Sequence, residues 1–383
     1  MDVPVGYMER LIAALDPHGS GDLAEWVGDA VRAVPRHQFV PDVGLIAPRD
    51  SEPYLIDRVA DPAAWWDVVG STAAIVTQLD DGATPLTALT GHYTSSSSSP
   101  ATVADLLNVL APEPGMRVLD IGTGTGWTAG LLSHVAGPDR VVSIDVDRRV
   151  SDQAAKNLAA VGLQPHLVVG DGARGCRDFA PYDRIHVTCG IRDIPYAWVK
   201  QCRPGAIIVL PWHPGFGTGH CLRLEVRADG TARGRVVGFA GYMMMRAQRL
   251  RPDERPERDE ERRRYWTALD PRALDALSAS ADLAVSALTG LCSHTESGVD
   301  EDGEWLCMRV SDPADPGSWA TVMRRPGRTR HVVQQAGDRP VWDEVLRAYV
   351  RWVEQGEPSW SDFGVTVMAE GTRVWLHSPD NVL

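Results

Sequence analysis

Three glycines at alternate positions, 122, 124 and 126, follow a carboxylate at Asp120 and sit between a short apolar run and a helix-like one. The apolar run is Val118, Leu119 and Ile121, and the helix-like one spans 127–134. Glycine lets a chain turn sharply and approach a ligand with no Cβ in the way. The helix that follows offers N–H groups with no partner inside the helix. A dinucleotide site asks for G-x-G-x-x-G, but Trp127 holds the sixth slot. The pattern present is Asp120-x-Gly122-x-Gly124-x-Gly126, that of S-adenosylmethionine sites. There Gly122, Thr123, Gly124 and Gly126 would cradle the ligand, and Asp120 is expected to face the amino group of its methionine moiety. The chemistry would be methyl transfer, leaving S-adenosylhomocysteine. A tight turn with no ligand is the plain alternative for the glycines alone.

The elements around the turn favour the ligand. Residues 141–145 read as a second strand ending in Asp145, roughly 20 residues on, where a ribose diol would be held. Residues 166–170 read as a third, running into Asp171 and Gly172, placed to reach an adenine amino group. Strands over 184–188 and 206–210 follow, with helices over 148–161 and 195–201 between. Such alternation predicts a parallel sheet covered on both faces. It then stops: 221–226 and 234–239 read as strands joined through a turn at Ala228, Asp229 and Gly230. A parallel sheet closed by an antiparallel hairpin is the class I, Rossmann-like methyltransferase α/β architecture.

Composition bounds the rest. The chain has 383 residues, 44% hydrophobic and 23% charged, with a net charge of −13. The charge argues against a nucleic-acid partner. No run of ~18 apolar residues predicts a membrane span, and Met1-Asp2-Val3-Pro4 does not read as a signal peptide. The six cysteines form no C-x-x-C pair, so reduced thiols in a cytoplasmic protein without metal are expected. Residues 1–100 read as helical and loop-rich, contributing to the substrate site. Residues 101–248, opened by a helix over 101–111, form the S-adenosylmethionine-binding domain. The charged run 249–264 reads as a linker. Residues 265–383 read as a smaller α+β accessory domain with its own tryptophan-rich core, a helix over 342–355 and a hairpin of 364–367 with 373–376.

Several blocks resemble the protein-L-isoaspartate O-methyltransferase family. Residues 34–41 match its V-P-R-x-x-F-V-P segment, and Thr94–Pro100 stands where the family has T-I-S-x-P. Val169–Gly172, Ala180–Ile185, Ile194-Pro195 and Arg203–Gly205 look like its later blocks. The resemblance implies methylation of an isoaspartate or aspartate carboxylate in a peptide or protein. Residues 65–93 depart from the family's short Y-x-D-x-x-L and G-x-x-x-S segments. The C-terminal region, around Trp342–Val345, Trp352–Gly356 and Phe363–Val367, resembles variants that act on ribosomally made precursor peptides of the graspetide and lanthipeptide kind. That implies an aspartyl ester closing to a succinimide, which hydrolyses to isoaspartate, and an accessory domain that recognises the peptide.

Methyl transfer from a sulfonium to a carboxylate needs no strong base, since aspartate is ionised at neutral pH. Positioning and a dry site should supply most of the rate. By its place two residues before Pro100, Ser98 matches the family's active-site serine, donating to the carboxylate. Ser97 or Ser99 would serve if the register slips, and Ser99 could instead cap the following helix. A flexible serine loop is the plain alternative. His92 and Tyr93 are candidate peptide contacts, and Thr188 and Cys189 end a strand where open α/β sheets bind ligands. His186 and Trp127 read as packing residues. Three functions stay open: a precursor-peptide aspartyl methyltransferase, a general isoaspartyl repair enzyme, and a scaffold that binds S-adenosylmethionine without transfer.

Overall fold

The computed structural model describes residues 3–15, 24–48, 51–217, 219–249, 262–274 and 280–383. They fall into two compact units. The first is drawn from Met1–Cys189, Pro195–Leu210 and Arg223–Ala232, the second from Gly190–Ile194, Pro211–Leu222 and Arg233–Leu383.

In the first unit, helices α1 (Tyr7–Leu15) and α2 (Glu25–Ala33) precede strands β1 (Val43–Ile46) and β2 (Tyr54–Asp57). Helix α3 (Pro62–Val69), capped by the Asp61 side chain, and strands β3 (Ile75–Leu79) and β4 (Tyr93–Ser97) follow. The four strands form an antiparallel sheet in the order β2-β1-β3-β4. Leu45, Val76 and Leu79 fill its core. This sheet replaces much of the loop expected before residue 100. The serine run is likewise not a loop: Ser95, Ser96 and Ser97 lie in β4, and Ser97 pairs with Ile75. Serine is a poor strand former, so the apolar partner strand supplies the order that the serines do not encode.

Helix α4 (Pro100–Leu110), with proline in its first turn, leads into the parallel region. There β5 (Val118–Ile121), α5 (Trp127–Ala136), β6 (Val141–Asp145), α6 (Arg148–Ala160), β7 (His166–Val169), β8 (Tyr182–Val187), α7 (Tyr196–Lys200) and β9 (Cys202–Trp212) follow in the predicted order, with an α-helix between successive strands except β7 and β8. The order is β9-β8-β5-β6-β7, and every pair is parallel. All four residues of β5 are buried, as a central strand covered on both faces requires. Next come β10 (His220–Val226) and β11 (Ala232–Phe239), neighbours joined by a turn in which the Arg227 N–H donates to Thr231 O at 2.7 Å. This is the expected closing hairpin.

The second unit contains β12 (Arg263–Thr267), α8 (Ala281–Thr289), β13 (Cys292–Asp300), β14 (Gly303–Ser311), β15 (Trp319–Arg324), β16 (His331–Ala336), α9 (Val341–Glu354), β17 (Phe363–Met368) and β18 (Gly371–Leu376). Strands β12 to β16 form a five-stranded antiparallel sheet, β12-β16-β15-β14-β13. Met308, Val310, Ala320, Val322 and Val333 are among its buried side chains, and the Trp342 N–H at the start of α9 donates to Gln335 Oε1. The hairpin β17–β18 matches expectation. Of the proposed linker 249–264, residues 250–261 lie outside the described residues, and Arg263 and Arg264 belong to β12. No helix among the described residues is long and apolar enough to cross a membrane.

Candidate active site

The three glycines share a backbone conformation and differ in what surrounds them. Each has φ in the left-handed region, +97° at Gly122, +52° at Gly124 and +89° at Gly126. A Cβ on Gly122 would lie 2.5 Å from Thr188 Oγ1. On Gly126 it would press at 3.1 Å on Ala154 of α6, so this glycine lets two helices meet. On Gly124 it would stand 3.5 Å from the Ser96 carbonyl oxygen. The serine strand therefore passes beside the glycine turn, and the two candidate parts of the site meet.

Asp120 departs from expectation. Its side chain is fully buried, and both oxygens are committed to neighbouring strands. Ser143 Oγ donates to Oδ2 at 2.8 Å, and His186 Nδ1 lies 3.0 Å from Oδ1. The register explains this: Ser143 on β6 and His186 on β8 stand directly beside Asp120. Thr123 joins the same network, its hydroxyl 2.7 Å from Ser143 Oγ. Asp120 thus braces the strands beneath the turn instead of facing a ligand amino group. His186 is a buried core residue, as its alternation predicts.

Asp145 ends β6 and is half-buried. Its Oδ2 accepts the Gly124 N–H at 3.0 Å and its Oδ1 the Asp147 N–H at 2.9 Å, which fixes the carboxylate against the turn. Asp171 lies just past β7 with Gly172; Oδ1 accepts the Ala173 N–H, and the side chain stays open to solvent. Thr188 follows β8 and donates its hydroxyl to Ile121 O and Gly122 O at 3.0 and 2.6 Å, so it clamps the turn. Burial, with Asp145 and Asp120 nearby, pushes the Cys189 thiol up to about 12.

Within the serine segment, Ser95 and Ser97 are buried, and Ser96, Ser98 and Ser99 half-buried. Ser98 is the first residue beyond β4, between the strand and α4. Ser99 takes the N-cap position of α4, but its side chain makes no capping bond. Thr94 donates to Gln78 Oε1, and Gln78 Nε2 to Asp147 Oδ2 at 3.2 Å, tying this sheet to the loop after β6. His92 and Tyr93 are exposed, and the His92 backbone pairs with Asp80.

Arg36 was missed as a site residue. It is fully buried, and its Nη2 donates to the carbonyls of Ala73, Ser98 and Ser97 at 2.7, 3.2 and 3.5 Å. Its Nη1 donates to Val69 O and Ser71 O. Burial pulls the guanidinium down to about 10, opposed by the nearby Tyr7, so it stays charged at neutral pH. Its only signal in the sequence was its place in the V-P-R block. Two residues earlier, Val34 O accepts the Trp127 Nε1–H at 2.9 Å, which joins the same block to α5.

Residues 75–243 match the family model of protein-L-isoaspartate (D-aspartate) O-methyltransferase. A protein-L-isoaspartate O-methyltransferase of Pyrobaculum arsenaticum is 37% identical over 152 residues, 39% of this chain and 73% of that protein. One from Thermotoga maritima is 37% identical over 123 residues, 32% of this chain and 39% of its own length. Those from Methanopyrus kandleri and Pyrococcus horikoshii are each matched over 66% of their length, just under two thirds. A solved protein-L-isoaspartate O-methyltransferase shares the fold over 97% of this chain and all of its own, with a TM-score of 0.54 and 20% identity.

Proposed function

The chain belongs to the protein-L-isoaspartate O-methyltransferase family, and from that premise we propose that it methylates the side-chain carboxylate of an isoaspartate or aspartate within a peptide or protein. The observation that carries this reading is the approach of the serine strand to the glycine turn, Ser96 O beside Gly124. That approach supports a site in which a serine hydroxyl would serve a carboxylate beside a backbone cradle for a methyl donor.

The turn fits S-adenosylmethionine: three glycines with left-handed φ bring bare backbone round the end of β5. Gly122, Gly124 and Gly126 would hold it, with Asp145 at its ribose and Asp171 and Gly172 near its adenine. When bound, it supplies a sulfonium methyl group. Ser98 would donate its hydroxyl to the substrate carboxylate and hold one oxygen in line. Thr188 keeps the turn in shape from below. No residue need take a proton, because the carboxylate arrives ionised. Attraction between a carboxylate and a cationic donor grows as water leaves the site.

The narrower reading makes the substrate a ribosomally made precursor peptide, recognised through residues 265–383, with the ester closing to a succinimide. It rests on the likeness of the C-terminal segments. The alternative is general repair of isoaspartyl proteins. The test is incubation with methyl-labelled S-adenosylmethionine and three peptides: a generic isoaspartyl peptide, its aspartyl twin, and an aspartate-rich precursor candidate. Label on the isoaspartyl peptide alone supports repair. Label on the precursor, followed by loss of methanol, supports maturation. Donor binding with no transfer to any peptide would overturn the enzymatic reading in favour of a scaffold.

A further inference from the structure

We infer that Arg36 is a positioning residue for this methyl transfer, setting the direction of the Ser98 side chain from behind; the inference rests on the function proposed above. Its guanidinium holds the carbonyls of Ser97 and Ser98 together, at 3.5 and 3.2 Å. Those carbonyls belong to the two peptide planes that flank Ser98. A peptide unit is planar, so holding both planes fixes φ and ψ of Ser98, and with them its Cα–Cβ bond. The same nitrogen grips Ala73 O, just ahead of the partner strand β3, and Nη1 grips Val69 O at the end of α3 and Ser71 O just beyond it. Five carbonyls from two segments thus converge on one side chain that is wholly out of solvent.

The charge makes this more than ordinary packing. A buried guanidinium is costly without an anionic partner, and what lies beside this one is the Tyr7 hydroxyl and, 5.9 Å away, the face of the Trp127 ring. Every bond it donates goes to a carbonyl. Five neutral carbonyls could be satisfied by waters or ladder bonds at less cost, so the cost of the charge is borne for a geometry. Arginine suits that task because its planar fork presents donors in fixed directions, which a lysine ammonium does not. Ser97 Oγ and Ser95 Oγ, buried in the same strand, have no hydrogen-bond partner, so these hydroxyls do not anchor the segment. The β3 ladder holds it up to Ser97, and Arg36 carries the hold on to Ser98.

The test compares the full-length wild type with Arg36→Lys and Arg36→Met, reading S-adenosylmethionine affinity, kcat and KM on an isoaspartyl peptide, and amide exchange over residues 93–99. Arg36→Met removes the buried charge while keeping an unbranched chain. The expected result is an unchanged donor affinity in both variants, with kcat lowered about a hundredfold in Arg36→Met and partly restored in Arg36→Lys. Exchange over 93–99 should quicken at least about tenfold while exchange over 118–126 stays level. An unchanged kcat, or equal loss of donor affinity and kcat, overturns the proposal. Were wild type to transfer to no peptide, the function would fall separately; exchange at 93–99 indifferent to Arg36 would still overturn the positioning role, even where Arg36→Met is recovered poorly and only Arg36→Lys can be read.

Discussion

A carboxylate in the middle of a parallel sheet is tolerable only when its oxygens are paired, and Asp120 has both paired across neighbouring strands. Asp120→Ala would leave Ser143 and His186 facing a hole, and is expected to cost about 3 kcal/mol. Urea unfolding checks this. An unchanged midpoint together with lost S-adenosylmethionine binding would return Asp120 to a ligand-facing role. Gly122→Ala should act twice, through a φ of +97° and a Cβ only 2.5 Å from Thr188 Oγ1. It is expected to lower stability by about 2 kcal/mol and to weaken donor binding at least about tenfold, read by thermal unfolding and calorimetry. The residue types announced a glycine turn and an acid before it. Which way the acid points depends on which strands flank β5, and no local pattern holds that information.

Elements with a clear hydrophobic period were legible before the fold was seen. Strand β6 and helices α5, α6 and α9 start within a residue of their expected places, because alternation and capping are local signals. The sheet β1–β4 was not legible, since its strands are short and β4 is mostly serine; its order comes from pairing with β3. The sheet β12–β16 was read only as a tryptophan-rich core, because its strands show weak alternation, as in β13. The N-terminal block is joined to the parallel sheet by a few polar bonds, such as Trp127 Nε1 to Val34 O. Trp127→Phe should keep the ring's packing and lose that bond. The expected cost is about 1 kcal/mol, seen as a lower urea midpoint at constant slope; a neutral result would mean that the Val34 carbonyl finds water instead.

For the whole chain, the second unit carries a pH dependence of its own. Burial, with His220 nearby, pushes the His213 imidazole down to about 4, against a hydrogen bond to Ala240. A depressed imidazole stays neutral when folded and takes a proton when unfolded. Its contribution is complete above about pH 6.5 and is lost as pH falls from there toward about 4. His213→Asn should flatten the stability profile over that window, measured by urea midpoints between the two limits, and a profile with the same slope would remove His213 as its source. His220 Nε2, 2.7 Å from Asp282 Oδ2 in the same unit, is left intact by that substitution. The sequence by itself determined the parallel α/β core, the glycine turn and the family blocks, because periodicity, turn chemistry and spacing are encoded within short windows. Tertiary structure alone decided that Asp120 faces strands instead of ligand, that a serine run forms a strand, and that Arg36 gathers carbonyls from segments far apart in the chain. Those outcomes depend on neighbours brought together by burial, and the cost of an unpaired polar group is settled only when the neighbours are in place.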